Sequence, residues 1–257
     1  MPRQFLFNGY AMGFSGRITA PFDEVIESQA SSSLGVTGGY ASARVDNFRR
    51  HEIFSFAHAH TQATGILSAK SNSFETHVSG VLEGYNLLDM VKVDYMAGRL
   101  HSKHPVVPPT DESPDEPTIT PVGSHYGKIM VAGFELTPVM DSDFFNSTLS
   151  YTDLCKKIAG DPKLRARFNV SEDAAFPPAR GMLVGSIVPD ITGGGPGLTI
   201  ERNTVTVPGF GKLHFGEFII EQYSRRLSMM RAELGCPVQL NSSGPDMGGN
   251  GLPPYSQ

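Results

Sequence analysis

The chain has 257 residues, with 21 basic and 26 acidic side chains and a net charge of -5. This balance excludes the basic footprint on which nucleic-acid binding rests. Two cysteines are too few for a disulfide scaffold. The 28 glycines, 19 prolines and only 18% charged residues imply many turns and few charged helix faces, which points to a mainly β fold. A chain of this length buries roughly 70–75% of its unfolded surface, enough for one large β domain or two smaller ones.

The start of the chain lacks a basic segment followed by an unbroken apolar run, because Asn8, Gly9, Gly13 and Ser15 interrupt it. Neither a signal peptide nor a membrane span is expected there, so the cytoplasm is the default location and the cell surface or exterior the alternative. Residues 1–104 read as a β-rich part. The clearest strand runs from Phe54 to Thr64, and simple alternation puts Phe54, Phe56, His58, His60, Gln62 and Thr64 on one face. The other face is uniformly small (Ser55, Ala57, Ala59, Thr61, Ala63), which would let another layer of backbone approach closely. Tyr40 to Val45, Phe74 to Leu82 and Val91 to His101 flank it as further strands, with turns at Gly38-Gly39, Ser71-Asn72-Ser73 and Gly84.

Residues 105–121 differ in composition. Repeated prolines and four carboxylates keep such a segment extended and out of a ladder, as a linker or long exposed loop. Residues 122–240 return to a β-rich pattern with a short helical insertion at about 150–168. Ser150 caps its first helix, Leu154 and Ile158 share a face, Gly160 stops it, and Asp161-Pro162 opens a second helix. Further strands are expected at Gly181 to Val188, Leu198 to Val207 and Lys212 to Gln222. Arg225 to Leu234 fits either a helix stripe or a hairpin partner, with strand favoured. Residues 241–257, rich in Gly, Pro and Ser, read as an irregular tail. The expected fold is therefore mainly β, a sandwich or β-roll-like pair of sheets with one short helical insertion. The parts 1–104 and 122–240 are either two units or one domain.

Few constellations carry chemistry. His58 and His60 at i and i+2 share a strand face, a spacing that suits metal ligation by neutral imidazoles. His77, with Glu75, lies on the next strand, so a metal site would draw on His58, His60 and His77. The competing reading is an amphipathic sheet surface. His51-Glu52 begins like a HExxH zinc motif, but position 55 is Ser and the motif fails. The Gly193 to Gly197 loop lacks the Lys-Ser/Thr ending and following helix of a phosphate loop. Asp141 and Asp143 read as turn acids that cap the segment after them. Arg225, Arg226 and Arg231 lie close in sequence to Glu217, Glu221 and Glu233, which suits cross-strand ion pairs. No Gly-x-Ser-x-Gly elbow occurs, and neither Cys155 nor Cys236 has the setting of a nucleophile. Two buried thiols or one disulfide both fit that pair.

The small-residue strand from Ala57 to Gly65, followed by Val78-Ser-Gly-Val-Leu-Glu-Gly-Tyr-Asn-Leu-Leu and Val91-Lys-Val-Asp, resembles bacterial β-rich proteins of the choice-of-anchor P type. Val207-Pro-Gly-Phe-Gly-Lys and Arg226 to Gly235 add to the likeness. The resemblance covers about half the chain and implies a bacterial surface-associated or secreted β protein of undefined activity, with no catalytic residues to carry over. The leading expectation, ahead of an enzyme, is a structural or interaction protein that forms a homo-oligomer or filament. Phe5 and Phe7 would be an exchanged N-terminal arm. No cofactor is required, although a divalent metal fits the histidines. A glycan- or metal-binding module is the alternative, and a hydrolase with a dispersed site ranks third.

Overall fold

A computed structural model describes residues 5–106, 116–148, 150–170, 181–235 and 237–251. It is 65% strand and 9% helix, a mainly β sandwich. The strands in chain order are β1 (Phe7–Ala20), β2 (Glu24–Ser33), β3 (Gly39–Arg50), β4 (Phe54–Ser68), β5 (Ser73–Leu87), β6 (Val91–Pro105), β7 (Thr118–Thr120), β8 (His125–Tyr126), β9 (Ile129–Val131) and β10 (Phe134–Val139). Three helices come next, α1 (Ser142–Asn146), α2 (Tyr151–Gly160) and α3 (Pro162–Arg167). The remaining strands are β11 (Met182–Ser186), β12 (Asp190–Gly193), β13 (Thr199–Glu201), β14 (Thr204–Val207), β15 (Gly211–Glu221), β16 (Ser224–Leu234) and β17 (Gln239–Gly251).

Two antiparallel sheets result. The first has the order β13-β14-β15-β16-β17-β1-β2, with β11 also on β15. The second has the order β12-β10-β9-β6-β5-β4-β3, with β7 and β8 also on β6. The regions 1–104 and 122–240 thus do not form separate sheets: β1 pairs with β17, and β6 pairs with β9. The Pro-rich stretch is accordingly no link between domains. Its described end enters the sheet as β7 on β6, with Glu116 and Ile119 buried. Residues 107–115 lie outside the described residues.

The expected irregular tail is also corrected. Residues 239–251 form the strand between β16 and β1, in the middle of the first sheet. Glycine and proline disfavour strands in general, but the close approach of a neighbouring side chain demands glycine here. A Cβ on Gly248 would sit 2.2 Å from the Tyr10 ring. Residues 252–257 are outside the described set. Arg225 to Leu234 is a strand, as favoured, and the helical insertion is capped as expected. The Ser150 side chain accepts from Asp153 N–H, and Asp161 accepts from Lys163 and Leu164 N–H ahead of Pro162.

The sheets face each other with β1 over β4 and β5, and β17 over β5 and β6. The small face of β4 is the reason they come so close. A Cβ on Gly13 would lie 2.9 Å from the Ala59 Cβ, and one on Gly80 would lie 2.8 Å from the Pro245 Cβ. Thr61, fully buried, donates its hydroxyl to the Ala30 carbonyl of β2 at 2.8 Å.

Simple alternation fails along one line in each sheet. On β4, Phe54 and Phe56 are buried, but further on the buried set is Ala59, Thr61 and Ala63. On β5, Thr76, Val78 and Leu82 give way to Tyr85 and Leu87. The register sets Asn47, Ala57, Gly84 and Asp94 opposite one another across β3, β4, β5 and β6. Asn47 (φ 53°) and Gly84 (φ 64°) occupy the left-handed region there. That conformation steps the inward set of side chains by one residue and bends the strand, as a bulge does. The first sheet has the same device, with Ala30, Gly13, Pro245, Met229 and Gly216 opposite one another, and with Ala30 at φ 50° and Gly216 at φ 60°. His58 and His60 therefore face outward while Phe54 and Phe56 face inward, which corrects their expected common face.

Phe5 and Phe7 are buried within their own chain. Phe5 stacks on Phe74 with ring centroids 4.4 Å apart, and Phe7 meets Phe5 edge-on at 4.8 Å. The apolar burial that motivated an exchanged arm is already satisfied in one molecule.

The sheet contact makes a direct prediction. Gly80→Ala should lower the unfolding free energy by about 1–3 kcal/mol, the usual cost of overpacking against rigid neighbours. Gly160→Ala, with open space around its Cβ, should change it by less than about 0.5 kcal/mol. Urea denaturation of the two variants beside the parent protein checks both.

Candidate functional site

The outer face of the second sheet carries a ladder of polar side chains. In register across β3, β4, β5 and β6 lie Tyr40, Thr64, His77 and His101, and in the next row Ser42, Gln62, Ser79 and Arg99. A shallow groove runs over them, lined by Gln62, Thr64, Ser79, Arg99 and the two imidazoles.

His77 and His101 are directly opposite, and their rings stack with centroids 4.0 Å apart and 7° between planes. Glu75 lies two residues before His77 on the same face. One carboxylate oxygen is fixed from below: Oε1 accepts from the Ser71 hydroxyl at 2.5 Å and the Ser73 hydroxyl at 3.2 Å. The other, Oε2, lies 3.7 Å from His77 Nε2 and 3.8 Å from His101 Nε2. Lys103 Nζ stands 3.9 Å from Oε1. The Ser71 hydrogen bond holds the Glu75 carboxyl below the usual carboxylate range, assisted by Ser73, His101 and Lys103 against the cost of burial. Burial, and then the neighbouring His77, push the His101 imidazole below its ordinary value.

His77 is thus joined by Glu75 and His101, and not by His58 and His60. The register explains why. His77 is opposite Thr64, whereas His60 is opposite Val81, four residues further along, or roughly 13 Å at strand spacing. His58 instead pairs with Asp46 through Nδ1 at 2.7 Å, and His60 is exposed. Sequence reading missed His101. Unbroken alternation from Val91 would put His101 on the inward face with Val91 and Val93, and only the crease at Asp94, which shifts that alternation by one residue, turns it outward.

Two further polar clusters are inside the protein. Glu116 is buried, and its carboxylate accepts from Thr152 N–H at 2.9 Å, Thr152 Oγ1–H at 2.6 Å and Gln222 Nε2–H at 3.0 Å. It thereby ties the end of the Pro-rich stretch to the N-terminus of α2, where a negative charge is favoured. Arg225, also buried, donates to the Ile119 carbonyl, and burial pulls its pKa down to about 10 against the attraction of Glu116. Arg231 forms the expected cross-strand pair with Glu217, at 2.6 Å. Asp141 caps α1 and holds Arg167 at 2.6 Å. Cys155 is a buried free thiol whose pKa is raised chiefly by burial, and Cys236 lies outside the described residues.

The second cluster surrounds Asp246, which is fully buried and accepts from the Ser228 and Ser243 hydroxyls, with Arg226 at 3.7 Å. Burial raises its pKa, and the two serines and Arg226 only partly oppose this. A raised folded pKa means that the folded chain holds the proton more tightly than the unfolded chain. The resulting stability is present at low pH and is lost as pH rises through the folded pKa.

The fold and these sites define an antiparallel two-sheet sandwich with a histidine-bearing outer face. The chain belongs to the family described as a domain of unknown function (DUF8256), whose model matches residues 5–164 and 149–221. No curated protein matches the chain, and no solved structure does. No helix among the described residues is long and apolar enough to cross a membrane.

Asp246→Asn should raise stability at pH 7. The advantage should shrink as the medium is acidified and close once Asp246 is protonated in both states. Urea midpoints measured across the acid range check this, and a parent protein that outperforms the variant at neutral pH would show that the ionised carboxylate stabilises the fold.

Proposed function

We propose that this protein is a non-enzymatic interaction protein that associates with further copies of itself through the open edges of its sheets. One observation carries the reading. Both sheets end on the same side of the sandwich in long strands, β2 with 10 residues and β3 with 12, each paired on one edge only among the described residues. At the opposite side the end strands β13 and β12 have only 3 and 4 residues. A long strand edge presents a row of unpaired N–H and C=O groups that a second chain can join, main chain to main chain.

Charge selects which part of the edges is open to a partner. The distal half of β3 carries Arg44, Asp46, Arg49 and Arg50, and its residue Asn47 departs from strand geometry. Both features discourage pairing. Gly39 to Ala43 of β3 and, beyond the left-handed Ala30, Ser31 to Ser33 of β2 carry no charge. Beside them lie Val36, Tyr40, Ile66 and Leu67, between 47% and 64% exposed. An apolar group of this kind next to an uncharged strand edge suits a second copy better than solvent. The likeness to choice-of-anchor P type proteins supports the same reading of a surface-associated β protein.

Sedimentation velocity on the full chain at tens of micromolar should give a mass above that of the monomer. Tyr40→Lys combined with Ser42→Lys, which places positive charge on the open edge, should lower that mass while the far-ultraviolet β spectrum stays unchanged. A parent protein that is already monomeric, or a variant with undiminished mass, would reject the proposal.

A further inference from the structure

We propose that Glu75, His77 and His101 form a site for a divalent transition-metal ion, of which Zn2+ is the best match. The site lies wholly within one chain and does not depend on self-association.

Three observations point the same way. The first is convergence: the three ligand atoms lie within 4.8 Å of one another. Two imidazole nitrogens and a carboxylate oxygen are the donor set that suits Zn2+ and its neighbours, and three protein ligands leave a fourth position for water or another group. Ligands about 2.0–2.1 Å from a tetrahedral ion stand about 3.3 Å apart, so the observed 3.7 and 3.8 Å separations need to close by about half an ångström. The stacked rings must turn on their side-chain bonds to aim both Nε2 atoms at one point. The outward position of His77, with its side chain 52% exposed, leaves it room to do so.

The second observation is orientation. The Ser71 and Ser73 hydroxyls hold Glu75 Oε1, which leaves Oε2 turned toward the two imidazoles. Partners that fix a ligating carboxylate in this way raise metal affinity. Lys103 stands by Oε1, on the side of the carboxylate that the metal does not use.

The third observation is an unmet need. His101 Nε2 is enclosed and has no hydrogen-bond partner among the described residues. A buried ring nitrogen normally finds a partner, and Glu75 Oε2 at 3.8 Å is too far to be one. A metal ion bound between them would satisfy both atoms. His58 differs, since its Nδ1 already engages Asp46.

The test is calorimetric titration of the full-length protein with Zn2+ alone at pH 7.5, with Co2+ absorption as a second probe. One equivalent should bind, and the cobalt complex should show the visible bands of low coordination number. His101→Ala and Glu75→Gln should each weaken binding at least tenfold, whereas His58→Ala with His60→Ala should leave it unchanged. Proton NMR of the unmutated protein with substoichiometric Co2+ makes the outcome independent of how the variants fold. The ring signals of His77 and His101 should shift or broaden before those of the other histidines. Absence of stoichiometric binding, binding that survives both ligand substitutions, or cobalt effects centred on His58 and His60 would each overturn the proposal.

Discussion

The structure depends on how closely its two sheets approach. Sheets usually pack about 10 Å apart with large side chains interleaved. Here glycine, alanine and threonine line much of the contact: Gly13 meets Ala59, Gly80 meets Pro245, and the Met247 side chain lies over Gly98. Larger apolar groups are displaced toward the ends of the sandwich. Phe5, Phe7 and Phe74 cluster at one end, and Phe14, Phe54, Phe56 and Tyr85 gather beyond the crease. A third group, Phe144, Phe145, Phe168 and Phe218, fixes the helices to β15.

The creases arise from this geometry. Long twisted strands in close face-to-face contact must bend to stay in register with the opposite sheet, and a single residue in left-handed conformation provides the bend. The left-handed residues Asn47 and Gly84 in one sheet, and Ala30 and Gly216 in the other, lie on a line that runs across four strands of the former and five of the latter, and act as one feature. Their effect reaches the surface because each strand presents a different set of side chains on either side of the line. His58, His60, His77 and His101 all lie on the same side of it and face outward, whereas His104, three residues beyond His101 on β6, is buried against Phe5.

The polar groups are divided between two roles. Inside, Glu116 and Arg225 bind the loop, helix α2 and the first sheet together, and Asp246 is sealed under Arg226 with two serines as donors. Toward the outer face, Glu75 is also held by two serines, but its second oxygen faces His77 and His101, which line a groove open to solvent. The same local device, a carboxylate fixed by neighbouring hydroxyls, is structural where it is enclosed and is available for binding where it is not.

Local pattern alone determined the β class, the small face of β4, the caps at Ser150 and Asp161, and the outward place of His77. These depend on side-chain size, on alternation within a few residues, and on cap chemistry, none of which needs a distant partner. Tertiary structure decided the rest. The glycine-rich stretch from Gln239 to Gly251 is a central strand only because β16 and β1 flank it. Phe5 and Phe7 are core only because Phe74 and His104 reach them. His101, rather than His58 or His60, joins His77 because strand register and the crease fix which residues stand opposite. Register is set by contacts between segments far apart in the chain, and a one-residue step in it moves every side chain to the other face.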